Sequence, residues 1–187
     1  STFIEALGLM NKTMTHDSKV FFYSDKDYKY IEKPGDGPIE LNGLWKKNRS
    51  KHIQKRDEIR YNGYSFVFQD TYLMPNFSAI ENIALTELIK NSKLAKVYHK
   101  IINGLVKSLK LQNLFFKNRP SSYSGGERQR MAFGRGIFPD FEVLFGDEPT
   151  GNLDPHNAIE VLRYLKKNIN KNNCALIVTH NVELAIE

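Results

Sequence analysis

Apolar positions in the second half of the chain alternate between continuous runs and helical spacing. The runs "FEVLFGD" (141–147) and "CALIVT" (174–179) predict buried strands, and "HNAIEVLRYLKKNIN" (156–170) between them predicts an amphipathic helix. Strands that are apolar on both faces and alternate with helices are typical of a parallel sheet covered by helices. Each run ends in polar residues, and ligands bind at the carboxyl edge of such sheets. The pattern therefore predicts an α/β fold with a site at that edge.

The first half of the chain contains shorter elements. The segment 1–10 has helical spacing, whereas "KVFFYS" (19–24), "IELNGLW" (39–45) and "YSFVFQD" (64–70) predict short strands. Turn residues such as "KPGDGP" separate the first two of these strands.

Between these strands and the second half of the chain, apolar residues recur at helical spacing. Ser78 with Glu81 three residues later forms a capping-box pattern, which predicts the start of a helix, and "AKVYHKIINGLVKSLKL" predicts a second amphipathic helix. We therefore expect a single domain over residues 1–187, divided as follows: an α/β core with edge strands in 1–74 and 120–187, and an inserted helical subdomain in 75–119.

The composition predicts a globular chain with a substantial core. Of 187 residues, 41% are hydrophobic, and no continuous apolar run is long enough to suggest a membrane span. The first residues lack the basic-then-apolar build of a signal peptide, so we expect a cytoplasmic location. The only cysteine, Cys174, lies in an apolar run, which predicts a buried thiol, no disulfide partner and a reducing compartment.

Positive charge is concentrated in one stretch of a chain whose net charge is +6. The stretch "WKKNRSKHIQKR" (45–56) is compatible with nucleic acid, an anionic membrane surface or nucleotide phosphates as partners. It lacks the interleaved aromatic residues of a base-stacking surface, which favours a solvated helix face or loop. The five histidines show no metal-ligand spacing, so no structural zinc is expected.

Polar residues with different chemistry follow three predicted strands. Asp147 can hold a magnesium ion, usually through a water, and Glu148 can act as general base toward a nucleophilic water. His180 can hydrogen-bond a phosphate or orient the water, although a lone histidine after a strand is more often structural. Gln69 can ligate a metal through its carbonyl oxygen or position water. Two surface acids at a strand end would be the alternative interpretation of Asp147 and Glu148.

The stretch "SSYSGGERQR" (121–130) places a serine and two glycines directly before a predicted helix. Free backbone N–H groups and the positive end of the helix dipole suit a phosphate at such a start. Two adjacent glycines alone also mark ordinary turns.

Taken in order, these segments resemble the nucleotide-binding domain of ATP-binding cassette (ABC) ATPases over nearly the whole chain. "FQD" resembles the Q-loop, "YSGGERQR" the family signature, "VLFGDEP" the Walker B strand, "GNLD" the D-loop and "TH" the switch histidine. The 55 residues from Gln69 to Ser124 leave room for the helical subdomain of that family. "MPNFSAIENI" and "EPTGNLD" resemble most closely the branch that powers lipoprotein release, macrolide export and a related cell-division complex.

The resemblance implies a P-loop NTPase-like, mostly parallel core with an antiparallel edge sheet, ATP and Mg²⁺ as ligands, and a function for each matching residue. Glu148 and His180 would be catalytic. The residues that contact bound nucleotide would be Ser1, Thr2, Gln69, Asp147 and His180. Of these, Ser1, Gln69 and Asp147 would hold magnesium, Asp147 through a water. The signature residues Ser124, Gly125, Gly126 and Glu127 would contact ATP held by the other subunit of a dimer, and Asp154 would communicate across it.

Two features depart from the family pattern. The phosphate loop G-x-x-x-x-G-K-[ST] is not in the sequence, and Ser1-Thr2 resembles its ending, so the first strand and that loop would precede Ser1. Residues 11–35 are additional to this branch, and a surface elaboration is the preferred interpretation. In the signature, Tyr123 stands where the family usually has leucine.

The implied function is the ATP-hydrolysing subunit of an ABC transporter. It would pair with itself or a related ABC subunit and with a transmembrane permease, at the inner face of the plasma membrane, with no nucleic acid expected. The permease would dock near Gln69, where Tyr72, Leu73 and Met74 form an exposed apolar group. The alternatives are an ABC-type ATPase that acts on nucleic acid or ribosomes, a mechanical ABC ATPase that transports nothing, and an assembly module without turnover.

Overall fold

The computed structural model describes residues 2–11, 19–24, 38–45, 50–90, 95–116 and 119–186. The helices in these ranges are α1 (Thr2–Leu7), α2 (Ser50–Asn62), α3 (Ala79–Lys90), α4 (Ala95–Ser108), α5 (Gly125–Ile137), α6 (Pro155–Asn168) and α7 (Val182–Ile186). The strands are β1 (Phe21–Phe22), β2 (Ile39–Glu40), β3 (Tyr64–Val67), β4 (Val143–Asp147) and β5 (Cys174–Val178). Short 3₁₀ turns cover Asn42–Trp45, Gln112–Phe116 and Pro120–Ser122.

The central sheet is parallel and has the order β3-β4-β5. Val67 pairs with Gly146, and Asp147 pairs with Val178, so the three strands end at the same edge. A separate antiparallel pair is formed by β1 and β2. The predicted α/β fold with a parallel core and a small antiparallel sheet is therefore confirmed.

Successive residues of β4 point into two different cores. Leu144 is buried with Phe133 of α5, Ile83 of α3 and Val161 of α6 on one face of the sheet. Phe145 belongs to a second cluster on the other face, which includes residues of α1, α2 and β1: Ile4, Ile59 and Phe22. Because side chains alternate along a strand, a continuous apolar run is what such a two-sided burial requires.

The helical block after β3 shares the first of these cores. The backbone N–H of Ser78 donates to the Glu81 carboxylate at 2.8 Å, and the Glu81 N–H donates to the Ser78 hydroxyl at 3.3 Å, which together form the predicted capping box. Ala79 and Ile83 of α3 are buried in the same cluster as Leu144. The helices predicted over 78–111 are present, and α3 packs directly on α5.

Helix α2 was not predicted as a separate element. It begins inside the basic stretch, and its sequence has only two aliphatic residues, Ile53 and Ile59. Buried Arg56 donates to the carbonyl oxygen of Leu44 at 2.9 Å, and its guanidinium lies 3.9 Å from the ring centre of Trp45. Burial lowers the pKa of Arg56. The helix is thus held by tertiary contacts that a search for apolar periodicity does not detect.

Two further predictions differ from the structure. Asn42–Trp45 forms a 3₁₀ turn rather than the end of a strand. Cys174 is exposed, so the prediction of a buried thiol is wrong. The residue opens β5 at the amino edge of the sheet, where the covering helices do not enclose it. Most of the additional segment 11–35 lies outside the described residues.

Within the part of the chain that the structure describes, no helix is both long enough and apolar enough to cross a bilayer.

Substituting two isoleucines of α2, one at a time, tests whether this helix is part of the core. Ile59 is fully buried and Ile53 is 39% exposed. Ile59→Val removes a methylene from a packed site and should lower the free energy of unfolding by about 0.5–1.5 kcal/mol. Ile53→Val is the matched control and should change it by less than about 0.5 kcal/mol. Guanidinium denaturation measures both, and equal losses would contradict the packing of α2.

Candidate functional site

The carboxyl edge of the central sheet brings together the polar residues that follow its strands. Gln69 follows β3, Asp147 ends β4 with Glu148 behind it, and His180 follows β5. The strand register places Gly146 beside Val67 and Asp147 beside Val178. Four of the residues predicted to form the site therefore lie at one edge, as expected for strands that end together.

Glu148 is held in a strained and well-supported position. Its φ of 48° is left-handed, a conformation that costs a residue with a Cβ about 1 kcal/mol or more. The backbone N–H of Glu148 donates to the carbonyl oxygen of Val178 at 2.9 Å, which ties the turn to β5. This geometry turns the Glu148 side chain away from the course of β4 and toward the residues after β5.

The carboxylate of Glu148 receives hydrogen bonds from the segment after β5. The backbone N–H of His180 donates to Oε1 at 2.6 Å, and the hydroxyl of Thr179 donates to Oε2 at 3.2 Å. The Nδ1 atom of His180 lies 3.0 Å from the same Oε1. The histidine side chain is 82% exposed and that of Glu148 only 16%. A shielded carboxylate next to an accessible imidazole is an arrangement that suits general-base chemistry on a bound substrate.

Gln69 and Asp147 supply oxygen donors next to this carboxylate. Gln69 is exposed, and its Cγ lies 3.9 Å from the point where a side chain on Gly151 would begin. Asp147 is partly buried at the end of β4. Carboxylate and carbonyl oxygens are the ligands that Mg²⁺ prefers, so this donor set fits the ion. Within the described ranges there is no group of three or more His, Cys, Asp and Glu side chains that could hold a metal.

The start of α5 lies beside the turn that follows Glu148. Ser124 is the N-cap: its hydroxyl accepts from the Glu127 N–H at 3.2 Å, and the Glu127 carboxylate accepts from the Ser124 N–H at 2.7 Å. Ser124 and Gly125 are exposed. A side chain on Gly126 would begin 3.8 Å from the carbonyl oxygen of Asn152. The exposed start of this helix therefore lies beside the D-loop turn.

Asp154 caps α6 and is exposed. Its carboxylate accepts from the side-chain amide of Asn157 at 2.6 Å and from the Asn157 N–H at 3.1 Å. These two hydrogen bonds lower the pKa of Asp154. In a single chain, the Asp154 carboxylate is therefore already hydrogen-bonded within its own helix.

The predicted metal ligand Ser1 lies outside the described residues, as does the side chain of Thr2.

The apolar group expected near Gln69 is only partly as predicted. Tyr72 and Met74 are exposed, whereas Leu73 packs against the larger core. Phe77 is exposed too and extends the group. Beside it lies a cavity of about 580 Å³ whose walls come from α2, β3, α3 and α5, among them Tyr61, Phe68, Thr86 and Arg135.

The sequence did not single out several polar residues that organise this edge. Arg135 of α5 donates to the carbonyl oxygens of Thr71 at 2.6 Å and Tyr72 at 2.7 Å, and burial lowers its pKa. Fully buried Asn82 binds the backbone of the segment between Met74 and Ser78. Thr179 was detectable, since it precedes His180 at the same strand end. Arg135 and Asn82 lie inside helices, so a search for polar residues at the ends of strands does not find them.

The comparison with protein families identifies the family of this chain. A family model described as "ABC transporter" matches residues 31–151, which is more than half of the chain. This chain belongs to the ABC transporter family. The matched range includes the Q-loop segment, the signature, the Walker B strand and the first residues of the segment that leads to the D-loop.

Similar proteins are ATP-binding proteins of lipoprotein-releasing systems. The lipoprotein-releasing system ATP-binding protein LolD of Rhodopseudomonas palustris (strain BisB5) is 36% identical over 156 residues, covering 83% of this chain and 66% of the relative. The protein of the same name from Wigglesworthia glossinidia brevipalpis is 35% identical over the same shares of both chains. The match thus spans slightly less than two thirds of these relatives.

Solved structures of the family have the same fold. The dimeric structure of MJ0796, a bacterial ABC transporter cassette, superimposes with a TM-score of 0.72 at 24% identity, covering 99% of this chain and 71% of the other. A dimeric post-hydrolysis state of that cassette, bound to ADP and Pi, gives a TM-score of 0.70 at 24% identity, over 98% and 71% of the two chains.

Proposed function

We propose that the protein is the ATP-binding and ATP-hydrolysing subunit of an ABC transporter. The observation that carries the proposal is the position of Glu148. Its shielded carboxylate lies at the carboxyl edge of a parallel sheet, held by the two residues after β5. Because the chain belongs to the ABC transporter family, ATP is the substrate that we propose for this edge of the sheet. The named relatives belong to lipoprotein-releasing systems.

Two residues at the sheet edge would have different functions in the hydrolysis of ATP. Glu148 accepts a proton from the water that attacks the γ-phosphate, because its carboxylate is oriented by Thr179 and the His180 N–H. The imidazole of His180 is 82% exposed, and we infer that it contacts the γ-phosphate and keeps the attacking water in line.

Asp147 and Gln69, together with Ser1, would hold Mg²⁺, with Asp147 binding through a water. When bound, the ion neutralises the charge of the phosphates during the transfer. The roles of Asp147 and Gln69 rest on their oxygen donors at the end of β4 and after β3.

The signature turn would act on a second nucleotide. Ser124, Gly125 and Gly126 supply a hydroxyl and the first backbone N–H groups of a helix, and Glu127 completes the cap. We infer that these residues contact ATP held by the other subunit of a head-to-tail dimer. Asp154, at the start of α6 beyond the adjacent turn, would report the state of one subunit to the other.

The membrane partner would dock at the corner formed by Tyr72, Met74 and Phe77. These exposed apolar side chains border the cavity beside β3, and such a group on a water-exposed surface favours a protein partner. The protein would then work at the inner face of the plasma membrane without spanning it.

The proposal is tested with the ATPase activity of the complete protein. We expect hydrolysis that is raised by a reconstituted membrane partner and that changes less than about twofold with DNA or RNA. The basic α2 is the feature that supports the alternative, an ATPase that acts on nucleic acid. Stimulation by nucleic acid together with none by the membrane partner would overturn the transporter proposal.

A further inference from the structure

One fully buried polar side chain connects three segments of the site. Gln129 lies in α5 with no exposed surface. Its Nε2 donates to the carbonyl oxygen of Pro149 at 2.8 Å and lies 3.5 Å from that of Phe68. Its Oε1 accepts from the side-chain amide of Asn152 at 3.2 Å.

Each partner of Gln129 adjoins a residue of the candidate site. Phe68 directly precedes Gln69, and Pro149 directly follows Glu148. Asn152 lies in the turn between Glu148 and Asp154, and a side chain on Gly126 would begin 3.8 Å from the Asn152 carbonyl oxygen. A single carboxamide therefore connects the backbone around Gln69 and Glu148 to the helix whose first turn is the signature.

The chemistry of the position explains why an amide is present. A buried primary amide is costly unless both its donor and its acceptor are used, and Gln129 uses both. An apolar side chain of similar volume would fill the space but leave the Pro149 carbonyl oxygen without this donor. The benefit of the amide is directional: it sets the position of the turn after Glu148 relative to α5.

We propose that Gln129 is a positioning residue that couples the signature helix to the catalytic carboxylate of the same subunit. The inference rests on the proposed function. A displacement of α5 at Ser124 is transmitted through a rigid helix to Gln129, and from there to Pro149 and Phe68. Contact of the signature with the neighbouring subunit's nucleotide thereby adjusts Glu148 and Gln69 in its own subunit.

Kinetics of the variant Gln129→Met test the proposal in the complete protein. Methionine has nearly the same shape but forms no such hydrogen bonds. We expect kcat to fall about tenfold while KM for ATP changes less than about twofold, since the loss concerns the transition state. Gln54→Met, a surface change on α2, is the matched control and should leave both constants unchanged. An unchanged kcat in Gln129→Met would overturn the proposal.

A double-mutant cycle separates positioning from general loss of packing. Asn152→Ala is a surface change that retains the bond from Gln129 to Pro149, so an unchanged kcat in this single variant would contradict the coupling even if Gln129→Met folds poorly. We expect Asn152→Ala to lower kcat about threefold alone and to have no further effect in Gln129→Met, because Asn152 acts through Gln129. Additive effects would contradict the coupling.

Hydrogen exchange gives a result that does not depend on activity. In Gln129→Met, amides in 150–153 and 68–70 should exchange about tenfold faster, whereas those of β5 should not change. Faster exchange in only one of the two segments, or in neither, would contradict the inference. If the wild-type protein hydrolyses no ATP, the proposed function fails, and exchange alone decides whether Gln129 connects the two segments.

Discussion

Glu148→Gln is expected to lower ATP turnover by about two to four orders of magnitude, the range usual for loss of a general base. The amide keeps the size of the side chain and can still accept from the His180 N–H, so the fold and ATP binding should persist. It cannot take a proton from the attacking water. The expected result is therefore a protein that binds ATP and does not complete hydrolysis.

The measurement is single-turnover hydrolysis beside equilibrium nucleotide binding. Glu183→Gln is the matched control, because it makes the same change of charge on exposed α7, three residues after His180. We expect the control to retain turnover within about twofold. Unchanged turnover in Glu148→Gln would rule out its function as general base.

Asn82→Ala is expected to produce the largest loss of stability, about 2–4 kcal/mol in the free energy of unfolding. Asn82 is fully buried; its Oδ1 accepts from the Met74 N–H at 2.8 Å, and its Nδ2 lies 3.0–3.2 Å from the carbonyl oxygens of Met74, Phe77 and Ser78. Removing the amide leaves the Met74 N–H without this acceptor and the three carbonyl oxygens without this donor. The segment that carries exposed Met74 and Phe77 should lose its ordered backbone conformation.

Denaturation with guanidinium and binding of the membrane partner both report this loss. Asn82→Asp should be at least as damaging as Asn82→Ala, because a carboxylate cannot donate to the three carbonyl oxygens and would be buried. Asn103→Ala, at an exposed position of α4, is the control and should be neutral or slightly stabilising. Stability that is equal in Asn82→Ala and Asn103→Ala would contradict the structural function of Asn82.

The strands and the polar edge could be predicted because their signals are local. Apolar runs that end in Asp147-Glu148 and in Thr179-His180 identify buried parallel strands whatever packs on them. The start of α3 was predictable for the same reason, since Ser78 and Glu81 are three residues apart and bind each other. The ordered set of motifs then indicated the family that the comparison confirmed.

Other features depend on residues that are distant in the sequence. The polar sequence of α2 contains few apolar residues, and its position depends on Arg56 and Ile59 meeting groups on other elements. Gln129 binds carbonyl oxygens 20 and 61 residues away. Cys174 lies in an apolar run, yet its position at the amino edge leaves it exposed.

The sequence by itself determined the type of each main strand and helix and the chemistry at the strand ends, because backbone periodicity and capping act over a few residues. Only the tertiary structure decided which buried amides and guanidinium groups hold the segments of the site together. The hydrogen bonds of Gln129 and Arg135 exist only once the chain has brought α5 against the backbone of other segments, and no local pattern records that approach.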